Sequence, residues 1–213
     1  MKTRLIRFKQ NYLSFPKYLL VRPFDGFYEF KHHNVGRLSV AVVFIALFMF
    51  FRIYQFQYES FAINPNNPQM LNSLQEIFSA GLLIMLFAVG NWSVTTLMEG
   101  KGTFKEILMI TGYALFPIII IGYPAVFVSN FLTLEEMGFY NLTMGISYFL
   151  AAWMLFMGIL NIHEYGLGKT LIAFLATFVA MSVMMFFGLL FFDLIQQFIA
   201  FVSAIYQELS LRY

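Results

Sequence analysis

No cysteine occurs among the 213 residues, which excludes disulfides, thiolate catalysis and thiolate metal sites. Charge is scarce as well. Asp, Glu, Lys and Arg make up 11% of the chain, against about 25% in an ordinary soluble domain. Too little polar surface remains to cover a water-soluble globule. Histidine occurs only as His32-His33 and His163. Each site falls at the polar edge of an apolar run with no third ligand at metal spacing, so these read as partly solvated polar residues. The opening MKTRLIRFKQNYLSFPKYLLVRPF interleaves Lys and Arg with apolar residues and has no long apolar centre. It reads as a retained segment, not a cleaved signal peptide.

Apolar residues fill the space that charge leaves. They form 60% of the chain, aromatics form 20% with 28 Phe, and the mean hydropathy is +0.74. These values belong with integral membrane proteins. The 13 Met are read as flexible apolar filler between helices. Stretches free of Asp, Glu, Lys, Arg and His run over 38–51, 77–98, 107–134, 137–162 and 170–192. A helix needs about 20 residues to cross a hydrocarbon core of about 30 Å, so the last four qualify directly. The first reaches spanning length if Arg52 snorkels to the interface and the helix continues through Ile53, Tyr54 and Phe56. Continuous apolar runs, rather than alternating ones, argue against barrel strands.

Cationic residues set the direction of threading. Lys2, Arg4, Arg7, Lys9, Lys17, Arg22, Lys31 and Arg37 precede the first span, Lys101 and Lys105 follow the second, and Lys169 follows the fourth. All of these fall on one side, and only Arg52 and Arg212 on the other. Short loops rich in Lys and Arg stay in the cytoplasm, so the N-terminus is expected inside and the C-terminus outside. The organisation expected is a basic segment over 1–37, a five-span membrane domain over 38–192 and a tail over 193–213. In the tail Leu194, Ile195, Phe198, Ile199, Val202 and Ile205 recur at three- and four-residue steps, the pattern of an amphipathic helix. Such a helix either lies along the outer leaflet or extends span five into water and docks on a partner.

The stretch NWSVTTLMEGKG, 91–102, poses the main functional question. A phosphate-binding loop needs G-x-x-x-x-G-K-[ST] after a strand. Aligning Gly100 and Lys101 with that motif puts Thr95 in place of its first Gly and Gly102 in place of the hydroxyl that holds magnesium. Both positions fail, and EGKGTFKE reads instead as a tight cytoplasmic turn between spans two and three. Asn91 and Thr95, four residues apart, share a helix face near Trp92 and Thr96. They read as polar glue between helices beside an interfacial Trp, or as a binding site for a partner helix. Asn91-Trp-Ser93 and Asn141-Leu-Thr143 match glycosylation sequons by chance, one within the membrane and one against it.

Span three carries GYALFPIIIIGYP, with Pro117 and Pro124 seven apart on one face, each removing a helix hydrogen bond. Such kinks shape packing or mark a substrate path. A carrier would bury an ionisable residue mid-span, and Tyr113 and Asn130 are weak substitutes for one. In span five Ala173, Ala176, Thr177 and Ala180 offer a small-residue packing face. Ahead of span one, RPFDGFYEFKHH starts a short helix at Pro23 and places Phe24, Phe27 and Tyr28 on one side. Flanked by Arg22 and Lys31, it reads as an interfacial helix on an anionic inner leaflet, or as a docking surface for a cytoplasmic partner.

The basic N-terminal segment with PFDGF, the five spans, NWSVTTLMEGKGTFKE, GYALFP and Trp153 within span four together resemble the Yip family. Its eukaryotic members are named for interacting with Ypt/Rab GTPases. The trafficking branch usually carries an Asp-Leu-Tyr-Gly-Pro signature and a long cytoplasmic arm. This chain has RPFDGFYEFKHH there and is more similar to the bacterial branch, whose members are commonly found beside ABC transporters. The resemblance implies an all-α, five-helix membrane protein of the bacterial plasma membrane, without catalytic residues, cofactor, metal, nucleic acid or small-molecule substrate. The expected role is an accessory subunit bound to ABC transporter permease or ATPase subunits. Its expected contact residues are Asn91, Trp92, Thr95, Lys101, Lys105, Tyr113, Pro117 and Trp153. A membrane-shaping or trafficking protein is the alternative, and a small channel or carrier the third.

Overall fold

The computed structural model describes residues 10–33 and 35–211. The cationic Lys2, Arg4, Arg7, Lys9 and Arg212 lie outside the described residues. After a π-turn over Gln10–Ser14 come two short helices, α1 (Phe15–Val21) and α2 (Pro23–His32). The long helices are α3 (Leu38–Tyr58), α4 (Ser73–Leu97), the pair α5 (Phe104–Ala114) and α6 (Phe116–Ser129), α7 (Met137–His163) and α8 (Leu167–Leu211). With α5 and α6 counted as one span, five helices are long and apolar enough to cross a membrane. The described residues contain no strand. Helix is what lipid demands here, because each backbone N–H and C=O must be satisfied within its own segment.

The α5–α6 span is the centre of the bundle. Its apolar window is 61% buried, against 6% for α8 at the periphery. One core cluster gathers Phe27, Phe44, Ile110, Tyr113 and Met154 in the half that carries the N-terminal helices, called the proximal half below. A second cluster, including Phe51, Ile84, Ile118 and Tyr140, fills the distal half. Gly112 lets α5 touch α3 backbone to backbone, since a Cβ added there would lie 2.6 Å from the Ala41 carbonyl oxygen. Close approach at small residues is how apolar helices gain dispersion contacts when no hydrophobic force separates them from lipid.

The break between α5 and α6 has a local cause. Pro117 has no N–H to offer the Tyr113 carbonyl, and its ring crowds the preceding turn. The chain answers with a tighter turn, Leu115 N–H donating to Gly112 O at 3.2 Å, and Pro117 begins α6 in the favoured first turn. Pro124 lies inside α6, which runs unbroken through it. The two prolines, expected on one face, differ in surroundings: Pro117 is buried and Pro124 exposed.

Span one extends through Arg52 to Tyr58 as expected. Arg52 does more than reach an interface, pairing with Glu76 at 3.4 Å at the start of α4. On the same distal end Tyr140 donates to Glu59, and Asn130 donates to Tyr58 O at 2.8 Å, so the substitute suggested for a carrier site is a capping residue. The helix α8 passes Asp193 without interruption, so of the two arrangements expected for the tail the continuation of span five is the one present. One expectation changes. In α2, Phe24 and Tyr28 are exposed, but Phe27 is fully buried. Phe27 and Phe30 instead dock α2 on the bundle, with Phe30 edge-on to Tyr113 at 5.7 Å. Hydropathy alone does not distinguish lipid from protein as the apolar partner.

Candidate functional site

Polar residues concentrate where α4, α5, α7 and α8 meet at the proximal end. Both α4 and α7 stop in the same way. Glu99 and Glu164 adopt left-handed conformations with φ of 58° and 53°. Gly100 N–H then returns to Thr95 O at 2.7 Å, and Tyr165 N–H to Leu160 O at 3.0 Å. These six-to-one bonds satisfy carbonyls that a helix end leaves open.

The two ends interlock. Tyr165, just past α7, donates its hydroxyl to Thr95 O at 3.2 Å and Met98 O at 3.1 Å, closing the last turn of α4. In return Gly102 N–H, just past α4, donates to His163 Nδ1 at 3.1 Å. Because Nδ1 accepts, the neutral ring carries its proton on Nε2, which is buried without a partner among the described residues. The His163 and Tyr165 rings stack at 5.3 Å, and Lys169 lies 4.5 Å over the Tyr165 ring. Burial raises the Tyr165 phenol above its ordinary pKa. Gly100 and Gly102 are required by proximity. A Cβ on Gly102 would stand 2.6 Å from His163 Cε1, and neither glycine has positive φ.

Ion pairs brace this knot. Thr103 caps α5 in a reciprocal box with Glu106, its N–H donating to Glu106 Oε2 at 2.8 Å. Lys31 of α2 reaches the same carboxylate at 2.9 and 3.0 Å and also donates to Lys101 O at 3.2 Å. Lys101 pairs with Glu164, and its hydrogen bond holds that carboxyl below the ordinary range. Lys31, expected at the lipid surface, therefore ties α2 to the turn between spans two and three.

One helical turn deeper, Asn91 Nδ2 donates to Thr177 Oγ1 at 3.1 Å, and the Thr177 hydroxyl donates in turn to Ala173 O at 2.7 Å. Thr95 Oγ1 donates to Asn91 O at 2.6 Å. This is interhelical glue between α4 and α8. Ala173 and Thr177 of the small-residue face are buried there, and Ala176 and Ala180 are half-buried. Such bonds contribute about 0.6 to 1.7 kcal/mol. Asn91→Ala should therefore lower the unfolding midpoint in mild detergent by the equivalent of about 1 kcal/mol. Ser93→Ala, on the exposed face of the same turn, should leave it unchanged.

The expected contact residues thus separate into two groups. Asn91, Thr95, Tyr113 and Pro117 are buried and act on packing; a partner would reach them only by opening the bundle. Trp92, Lys101, Lys105 and Trp153 are exposed. Trp92 meets Phe104 edge-on at 5.9 Å, next in sequence to Lys105, and Trp153 stacks on Phe156 along α7. His163, read from sequence as a partly solvated residue, is the residue that reasoning missed. The available signal was the pairing of two glycines around Lys101 with a His-Glu-Tyr run at another span's end on the same side. Chemically the knot couples four helix ends. No group of three His, Cys, Asp or Glu residues comes together as a metal site among the described residues.

Four apolar helices around a buried, proline-broken central span define a five-span, multi-pass α-helical membrane protein. Residues 17–205 match the family model of the Yip1 domain, and the chain belongs to that family. Neither the curated proteins nor the solved structures contain a significant match to it.

Proposed function

We propose that the protein is a non-enzymatic accessory subunit of a bacterial plasma membrane, with the interlocked end facing the cytoplasm, that binds and stabilises or regulates an ABC transporter. The observation that carries this reading is the division of polar residues at the proximal end. Asn91, Thr95, His163 and Tyr165 are buried where they join α4, α7 and α8, while Trp92 and Lys105 stand outside on the rigid edge they create. A held aromatic beside a cation, at the level where a span leaves the membrane, suits a protein partner that crosses the same interface. In this arrangement a permease helix meets Trp92 and Trp153, and an ATPase subunit meets Lys101 and Lys105.

Affinity purification from cross-linked membranes in mild detergent should recover permease or ATPase subunits. The double substitution Trp92→Ala with Lys105→Glu should reduce that recovery several-fold without changing the unfolding midpoint. Recovery of the protein alone overturns the reading. A second reading, a membrane-shaping or trafficking protein, draws on exposed Phe24 and Tyr28 beside exposed Lys17 and Arg22. Liposomes deformed by the pure protein would favour it, whereas unchanged liposomes with an altered transporter ATPase rate favour the first. Solute flux through the isolated protein would be needed for a channel.

A further inference from the structure

The 45 residues of α8 extend about 68 Å at 1.5 Å per residue, more than twice the roughly 30 Å of a hydrocarbon core. Its buried residues Thr170, Ala173 and Thr177 all lie in the first quarter. Up to Phe192 the helix is apolar on nearly every side. Asp193 then marks a change, with Gln197 Nε2 donating to its carboxylate at 2.8 Å. From there Gln196, Gln197, Ser203, Gln207 and Ser210 occupy one side and the large apolar residues the other.

That apolar stripe has a stricter register than an interfacial helix needs. Phe198 and Ile205 are seven apart, and so are Ile195, Val202 and Leu209. Together they alternate in three- and four-residue steps, the a and d pattern of a left-handed coiled coil, with β-branched Ile195 and Val202 at a positions. The same register runs back, past Gly188 at one a position, through Met184, Met181, Thr177 and Phe174. Those are the residues that pack on α4: Met181 and Met184 face Gly90, Thr177 holds Asn91, and Phe174 meets Phe87 at 6.0 Å. One seam therefore serves the whole helix, and α4 covers only its first half.

We infer that a second copy of this chain covers the other half, the two tails pairing as a parallel coiled coil along the seam from Phe191 to Leu209. Two copies inserted in one membrane share an orientation, so their tails leave it side by side and in the same direction, as a twofold axis along the membrane normal requires. Lipid is a poorer occupant for two reasons. No Lys or Arg lies between Lys169 and Arg212, whereas helices lying on a bilayer are rich in them on the polar face. Nor does the helix break where it would have to turn onto the surface: it runs unbroken from Leu167 to Leu211, and past Gly188 it holds no Gly or Pro.

The absence of native cysteine makes the test direct in the full-length protein. Single substitutions Phe198→Cys, Val202→Cys and Ile205→Cys should each give a covalent dimer on mild oxidation of intact membranes. Ala200→Cys, Ser203→Cys and Gln207→Cys, on the polar side, should give several-fold less. Adding Val202→Lys to Phe198→Cys should abolish that dimer while leaving membrane insertion and the unfolding midpoint intact. Equal cross-linking at all six positions, cross-linking to a different protein, or seam thiols that form no dimer and are shielded only by lipid would each overturn the pairing.

Discussion

Replacing Gly112 with valine should be among the most damaging single changes in the protein, lowering stability in mild detergent by about 3 kcal/mol. A Cβ at this position would stand 2.6 Å from the Ala41 carbonyl oxygen and 2.8 Å from Ala41 Cα. Those are backbone atoms of α3, so no rotamer change relieves the overlap and the two helices must separate. Separation loosens the proximal core around Tyr113, whose ring is held edge-on by Phe15, Phe30 and Phe44 at 5.7 to 5.8 Å. It also strains the hydrogen bond from Arg37 N–H to the Tyr113 hydroxyl, 3.2 Å long. Gly145 provides the contrast: an added Cβ meets nothing within 4 Å, and Gly145→Ala should be neutral or stabilising by up to about 1 kcal/mol. Denaturant titration of both variants in the same detergent checks the pair. Equal effects would show that helix propensity outweighs close approach in this bundle.

Those two glycines also show what a sequence reveals here and what it leaves out. The five spans are legible because crossing hydrocarbon makes a one-dimensional demand, about 20 apolar residues without interruption. Extension of α3 past Arg52 and the turn at EGKG follow from the same demand. Which side of each helix meets protein is a different question, because lipid accepts the same residues that a neighbouring helix accepts. Phe24, Phe27 and Tyr28 are alike on a helical wheel, yet only Phe27 enters the core. Gly112 and Gly145 are indistinguishable until Ala41 is placed. The helix ends were obscured for another reason. Gly100 has the usual look of a left-handed helix stop, but Glu99 takes that conformation, and the glycine is kept because His163 and Tyr165 press against it.

His163→Ala should rank with Gly112→Val, at a cost of about 2 to 4 kcal/mol. Two losses combine. The substitution empties a fully buried ring position stacked on Tyr165, and it removes the acceptor for Gly102 N–H, leaving that donor unpaired between two helix ends. His32→Ala is the control, since His32 is exposed and its contacts, Nδ1 with Tyr28 O and its ring stacked on Tyr28 at 4.2 Å, stay within its own helix. It should stay within about 0.5 kcal/mol of the parent. A local readout separates the knot from general stability. In the cysteine-free parent, Ile107→Cys, at a fully buried position in the first turn of α5, should react slowly with an aqueous maleimide, because the turn ahead of it is held by His163, Tyr165 and the Lys31–Glu106 pair. Adding His163→Ala should speed that reaction several-fold at temperatures well below unfolding. An unchanged labelling rate, with stability intact, would mean that Tyr165 and the ion pairs fix the turn without the histidine. The same double variant bears on the proposed function, because a loosened turn no longer presents Trp92 and Lys105 on a rigid edge. Partner recovery should then fall even though neither contact residue has been changed.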